Sequence, residues 1–510
     1  MHIVRGRKIF MAPEADGSWK TLDNGAILCS GGEIVAIGDF DDFSKRYPDA
    51  TVYGSGHEVV LPGFVNGHHH VGLTPLQLGS PDMPLELWLV TRMLAKSVDL
   101  YLDTLYSAFE MISSGITTVQ HVHGGLPGTP NEGARQCADV LRAYDDIGMR
   151  ASFSVMVRDQ NHLVYGSDME FLETLPSDLR EPMKRWFGQF KMSLDDHANL
   201  FRDLSGKWNK SRRLRIQLAP ANLHWCSDKA LAKMADLSEE ADAPMHMHLL
   251  ETPFQKEYAL KRTGVSALTH LDRFSLVNSR MTLGHGVWLT EPDLDLLAER
   301  GTCLCHNCSS NFRLRSGMAP LRQALSKGII VGMGIDEAGI NDDRDMLQEM
   351  RMVLTCHRAP GMDTEVPGAD DVLSMATVGS AATTPFRGTI GRIEGGMSAD
   401  IVLIDWDQIA YPFLDEEAPF LDALLRRGRM DHVRMVMCDG DVLYKDGQFT
   451  KVDRTSALVA LHDSLAHALS EDEAERRELS KRLLLHVRAF YDGYLEPQSY
   501  APFERFNSRD

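Results

Sequence analysis

Along the middle of the chain, short apolar and β-branched runs alternate with segments whose apolar positions recur at helical spacing. The runs are the one leading to His68, then Ile116 to His121, Ala151 to Val157, Arg215 to Pro220, Pro244 to Leu250, Met281 to His285, Thr302 to His306 and Ile329 to Asp336. Helical patterns lie between most of them, over Tyr101 to Ser114, Ala134 to Ile147, Asp228 to Ala241 and Glu291 to Arg300. Strand and helix repeated eight times predict an α/β fold of the (β/α)8 TIM barrel type, with its chemistry at the C-terminal ends of the strands.

The flanks read differently. Residues 1 to about 58 carry short strand patterns at Gly25 to Leu28, Glu33 to Ile37 and Glu58 to Leu61. Residues from about 390 to 450 do the same at Ala399 to Ile404, Val433 to Met437 and, after a Gly440-Asp441 turn, Val442 to Tyr444. The two flanks are expected to pair as a small β-sandwich (1–58 with 390–450) around a barrel over 59–389. A C-terminal helical extension over 451–510 is helical through Ala457 to Leu469 and Glu471 to Phe490. It ends in an aromatic tail around Tyr500 to Phe506, which is expected to pack on its own subunit or on a neighbour and is the motive for expecting a homodimer or higher homo-oligomer.

Composition narrows the partners. A chain of 510 residues exceeds one ordinary core and predicts two or three packed units. The excess of 72 acidic over 53 basic residues, a net charge of −19, opposes binding to nucleic acid or an anionic membrane. No apolar run is long enough to span a bilayer, and Met1 to Arg7 lacks a secretory pattern, so a cytoplasmic protein is expected. The eight cysteines are scattered. Cys303 and Cys305 alternate along a strand pattern as buried apolar residues, which argues against a zinc knuckle with His306 and Cys308, and a reducing compartment argues against disulfides.

Ligand-type residues close several of the apolar runs. In Asn66-Gly67-His68-His69-His70, His68 and His70 project to one side of a strand and can grip one metal ion, although a polar surface turn would look the same in isolation. His248, His285 and Asp336 end later runs, and Glu251 follows His248 by three residues. His68, His70, His248 and Asp336 supply the three or four protein ligands of a catalytic zinc site with an open position, a donor mix that also admits iron or manganese. His246 is expected deeper along the same strand, and His69, His121 and His123 as loop or core residues.

Five ordered motifs carry a family resemblance: PGFVNGHHH, HLLE, GHG, HNCSSNFRLRSG and GMGIDEAGINDDRDMLQEMR, followed by GRIEGGMSADIVLID. The chain resembles the amidohydrolase superfamily, in the branch of the cytosine, guanine and S-adenosylhomocysteine deaminases and the triazine hydrolases, from the N-terminus to about residue 450. Two-metal members bridge their ions with a modified lysine at the fourth strand. Here Arg215 to Ala221 has none, which implies a single divalent ion. The resemblance makes Glu251 the proton shuttle, with His285 orienting the attacking water and Asp336 taking its proton. A metal-activated water would attack a carbon beside a ring nitrogen protonated by Glu251, releasing ammonia from a small heterocyclic substrate. Amide or cyclic-imide cleavage, or displacement of halide as in the triazine hydrolases, would use the same site. A non-enzymatic binding protein would not be expected to keep the whole ligand set. Trp88, Arg158 and His306 are candidate substrate contacts. Pro220-Ala221-Asn222 departs from the Pro-His of many purine-nucleoside deaminases of this branch and points away from an adenosine-like substrate.

Overall fold

A computed structural model describes residues 1–70, 72–359, 361–362 and 365–496. Eight parallel strands run through its centre: β1 (Phe64–His69), β2 (Ile116–His123), β3 (Arg150–Val157), β4 (Leu214–Ile216, continued at Ala219–Pro220), β5 (Met245–Leu249), β6 (Met281–His285), β7 (Cys303–His306) and β8 (Val331–Met333). They form two sheets, one ordered β1-β2-β3-β4 and the other β5-β6-β7-β8. Isolated parallel bridges link the sheets at both margins, Leu218 with Met245 and His69 with Asp336. At the second margin the Asp336 N–H donates to the His68 carbonyl at 2.8 Å. The strands are buried almost throughout, with apolar residues alternating with buried polar ones such as Thr118, Gln120, Ser152 and Ser154.

The helices between the strands have explicit start and stop signals. Thr129 and Glu132 form a capping box before Pro130–Ile147, and Gly148, at φ 82°, closes that helix in the left-handed region. Thr290 and Asp293 do the same before Glu291–Arg300. Three helices between β3 and β4, over Asp168–Thr174, Ser177–Phe187 and Leu194–Trp208, add to the expected pattern. So do α1 (Leu85–Thr91), after β1, and α2 (Met346–Cys356), after β8.

Strands from both flanks meet in one seven-stranded sheet, where Ile401–Asp405 pairs antiparallel with Glu58–Pro62 and Val433–Cys438 pairs with Ile401–Asp405. A second sheet of four strands comes from the N-terminal flank alone, and one apolar cluster draws Val4, Ile27 and Ile34 from it together with Val60, Leu403 and Met435 of the first. Arg150, at the start of β3, is buried and pairs with Asp400 just before Ile401, tying the flank to the parallel strands.

The C-terminal segment forms a helix over Arg454–Leu465 and then α3 (Glu471–Tyr491), capped by Ser470 and Glu473. The α3 helix packs on α1: Ser480 donates to the Val90 carbonyl at 2.9 Å, and the Ser97 N–H donates to Glu473 at 2.8 Å. The aromatic tail Tyr500 to Phe506 lies outside the described residues. Among the described residues no helix is long and apolar enough to cross a membrane.

Candidate metal centre and active site

The C-terminal ends of β1, β5, β6 and β8 bring His68, His70, His248, His285 and Asp336 together. Nε2 of His70 lies 2.9 Å from Nε2 of His68 and 3.1 Å from Nε2 of His248. Oδ1 of Asp336 lies 3.1 Å from the His70 nitrogen and 3.5 Å from that of His68. The donor atoms of His68, His70 and Asp336 lie within 4.8 Å of one another, as do those of His68, His248 and His285, a spacing that nitrogen and oxygen ligands around a small divalent ion can take.

Hydrogen bonds on the far sides of the rings assign the tautomers. His70 Nδ1 donates to the Val122 carbonyl at 2.5 Å and His248 Nδ1 to the Ala221 carbonyl at 3.0 Å, which leaves each Nε2 as a free lone pair. His68 Nδ1 faces Nε2 of buried His246 at 2.7 Å, so His68 too can turn a lone pair to the cluster. Lone pairs aimed at one another in a buried site repel unless a cation stands between them. The electrostatics agree: burial works against charge at His70, yet Asp336 prevails and pushes its pKa up to about 9. Burial pushes His68 down to about 4, and Asp336, despite its own burial, is held well below the usual carboxylate range by the His68 and His70 imidazoles. The cluster draws in positive charge, and its donor set fits a metal ion.

The backbone at these strand ends is unusual. Leu250, His285 and Asp336 have φ of 52°, 75° and 63°, in the left-handed region that non-glycine residues seldom adopt. Such conformations cost on the order of 1–3 kcal/mol each and persist where surrounding structure dictates them, often at functional sites.

Glu251 is buried beside the cluster. One carboxylate oxygen accepts from the Ser316 hydroxyl at 3.3 Å and the other lies 3.6 Å from Nε2 of His285. Burial raises its pKa, opposed by His285, which favours the acid form needed to donate a proton. His285 Nδ1 donates to Asn311 at 2.9 Å, and its Nε2 lies 3.8 Å from Asp336 Oδ2. That second Asp336 oxygen accepts from the Ser310 hydroxyl at 2.5 Å.

A cavity of about 730 Å³ opens over this floor. His70, His248, Glu251, His285 and Asp336 all border it, and so do Trp88 and Arg158. Arg158, pushed down to about 10 by burial, stacks over Trp225 at 4.1 Å and donates to the His162 carbonyl at 2.8 Å. His306, expected as a pocket contact, is not among the lining residues. Cys305, its neighbour in β7, turns inward against Gly67, and alternation along the strand sends His306 to the opposite side, where its Nε2 meets His357 at 2.9 Å. Sequence reading missed Asn222 and Trp225, which line the cavity just beyond β4, and the supporting Ser310, Asn311 and Ser316. The last three lie inside the HNCSSNFRLRSG motif, so their signal was present as a run of polar residues with no assigned partner.

The chain is 29% identical over 466 residues to a 5-methylthioadenosine/S-adenosylhomocysteine deaminase of Nitratidesulfovibrio vulgaris, covering 90% of this chain and 96% of the relative. Among solved structures, a zinc-bound adenosine deaminase from Xanthomonas campestris superposes with a TM-score of 0.76 at 23% identity, over 91% of this chain and 97% of that one. An atrazine chlorohydrolase from Arthrobacter aurescens complexed with zinc gives a TM-score of 0.79 at 22% identity, over 91% and 100%. Residues 25–50 match an imidazolonepropionase-like composite domain of bacteria. With the amidohydrolase family model matching residues 59–443, the chain belongs to the amidohydrolase family.

Proposed function

We propose that the protein is a metal-dependent aminohydrolase that deaminates a nitrogen heterocycle. The observation that carries this reading is the clustering of the His68, His248 and Asp336 donor atoms within 3.1 Å of the His70 nitrogen at a cavity floor, with a buried acid, Glu251, beside them. His68, His70, His248 and Asp336 would hold one divalent ion, zinc by preference, with iron or manganese allowed by the same donors. Such an ion supplies Lewis acidity and brings water to near-neutral acidity.

The chain's own residues do the rest. Asp336 accepts a proton from the attacking water, and His285, its ring fixed by Asn311, orients that water through Nε2. Glu251 donates its proton to the ring nitrogen next to the attacked carbon, which withdraws electrons from that carbon. The proton taken from water passes to the amine, which leaves as ammonia, and the hydroxyl left on the carbon returns its proton to Glu251 as it becomes a carbonyl. Trp88 and Arg158 contact the substrate from the cavity wall. The deaminase relatives support a nitrogen heterocycle, while Ala221 and Asn222 after β4 support one other than adenosine.

The wider architecture belongs to the same reading. The eight strands close into a (β/α)8 barrel over 59–389, supported by the bridges at both sheet margins. Segments 1–58 and 390–450 form a composite β-sandwich, supported by their shared sheet and core, and 451–510 is a helical extension. The protein acts in the cytoplasm as a homodimer or larger homo-oligomer.

The test is product analysis of the metal-loaded enzyme on a panel of purines, pterins, pyrimidines and triazines. Ammonia release from at least one amino-substituted ring is expected. Chloride release from a chlorotriazine without ammonia from any ring would replace deamination with displacement chemistry.

A further inference from the structure

On the far side of β7 from the cavity, a second group of ligand-type side chains meets. His306 ends β7, Cys308 opens the short helix Cys308–Arg313, Cys356 is the last residue of α2 and His357 is its C-cap. Nε2 of His306 lies 2.9 Å from Nε2 of His357. Those nitrogens and the Cys308 sulfur lie within 4.8 Å of one another, and the Cys356 thiol adjoins that of Cys308 from outside this group of three. His306 and Cys308 are buried, and the remaining nitrogen of His306, Nδ1, is buried without a hydrogen-bond partner. The segment is held in place from below, because Glu349 of α2 accepts the Ser309 N–H at 2.9 Å.

Two imidazoles and a thiol, with a second thiol beside them, are the donor types of a closed, tetrahedral structural zinc site. The active-site cluster differs in kind, having only nitrogen and oxygen donors. The location also favours a cation, since the C-terminal end of a helix carries partial negative charge on its unpaired carbonyls. A neutral hydrogen-bonded imidazole pair would account for the 2.9 Å separation. It would leave the approach of the Cys308 sulfur to the same imidazoles, with Cys356 beside it, without a role. We propose that His306, Cys308, Cys356 and His357 bind a second zinc ion, which fastens the end of β7 to the end of α2 and thereby steadies the strand between His285 and Asp336.

The experiment is metal analysis and absorption spectroscopy of the full chain loaded with cobalt(II). Only a site containing thiolate gives sulfur-to-cobalt charge-transfer absorption in the near ultraviolet, so the spectrum reports this site and not the active one. Wild type should hold two equivalents per chain and show the band. Cys356→Ser and His357→Ala should each lose one equivalent and the band while still releasing ammonia, whereas His248→Ala should lose the other equivalent and the activity but keep the band. Wild type with no sulfur-to-cobalt band would overturn the proposal without recourse to any variant, as would a disulfide between Cys308 and Cys356 in the purified protein. A band that survives in both Cys356→Ser and His357→Ala would overturn it too.

Discussion

At the scale of single residues, the candidate ligands depend on atoms behind them. His68 presents Nε2 as a lone pair in the tautomer in which Nδ1 donates to His246, which is buried 2.7 Å away. Replacing such a supporting partner typically weakens metal binding by about 10–100-fold. His246→Leu should therefore surrender its active-site ion to a competing chelator at correspondingly lower chelator concentration, and an unchanged competition curve would remove His246 from the account. Glu86 carries a different prediction. Burial raises its carboxyl from 4.5 to about 7, although the Thr252 and Tyr165 hydroxyls donate to it. Between those two values the folded protein keeps a proton that the unfolded chain has released, so the contribution of this group to stability is fully present below pH 4.5 and is lost as pH rises through about 7. The span corresponds to roughly 3 kcal/mol. Urea unfolding at pH 5 and pH 7 should show wild type losing stability relative to Glu86→Gln over that interval. Parallel changes in the two proteins would contradict it. Residue identity was legible in the sequence wherever a ligand-type side chain closed an apolar run. Direction was not: nothing in the string Cys305-His306-Asn307-Cys308 says which of its side chains turns inward, and His306 was expected on the wrong side of β7 for a pocket contact.

At the scale of elements, agreement follows the strength of local signals. Asp228–Ala241 and Glu291–Arg300 have the bounds their spacing predicts, each opened by a Ser or Thr cap. The helices between β3 and β4 escaped notice because they are polar, interrupted surface elements, one of them carrying Pro182 in its interior. Pairing between distant segments was legible only in outline, since strand patterns at both ends of the chain suggested a shared sheet but gave no register. The join between flank and parallel strands rests on Arg150, which reaches Asp400, Ser398 and Asp439 from a buried position. Removing one member of a buried ion pair leaves the other charge uncompensated, at a cost of about 3–5 kcal/mol. Arg150→Ala should lower unfolding stability by about that amount, and a loss below about 1 kcal/mol would show the pair to be marginal to the join.

At the scale of the whole molecule, the C-terminal extension reaches the cavity. Asp472, Glu475, Arg476 and Leu479 of α3 border it, and Arg476 donates to the Met93 and Ala95 carbonyls at 3.3 and 3.2 Å, holding the segment that follows α1, the helix in which Trp88 lies. The sequence showed a helix there but nothing of where it docks, because docking depends on surfaces built by residues hundreds of positions away. Arg476→Met should loosen the cavity rim and raise KM more than it lowers kcat, and steady-state kinetics showing the reverse would place α3 nearer the chemistry. The central claim is that Glu251 passes a proton to the substrate beside a metal held by His68, His70, His248 and Asp336. It is tested most directly by measuring kcat, KM and metal content of Glu251→Gln together, because the amide keeps the shape and leaves the ligands untouched. The account predicts unchanged metal content, a similar KM and a fall in kcat of about 100-fold or more. Near-full activity with the metal retained would contradict it.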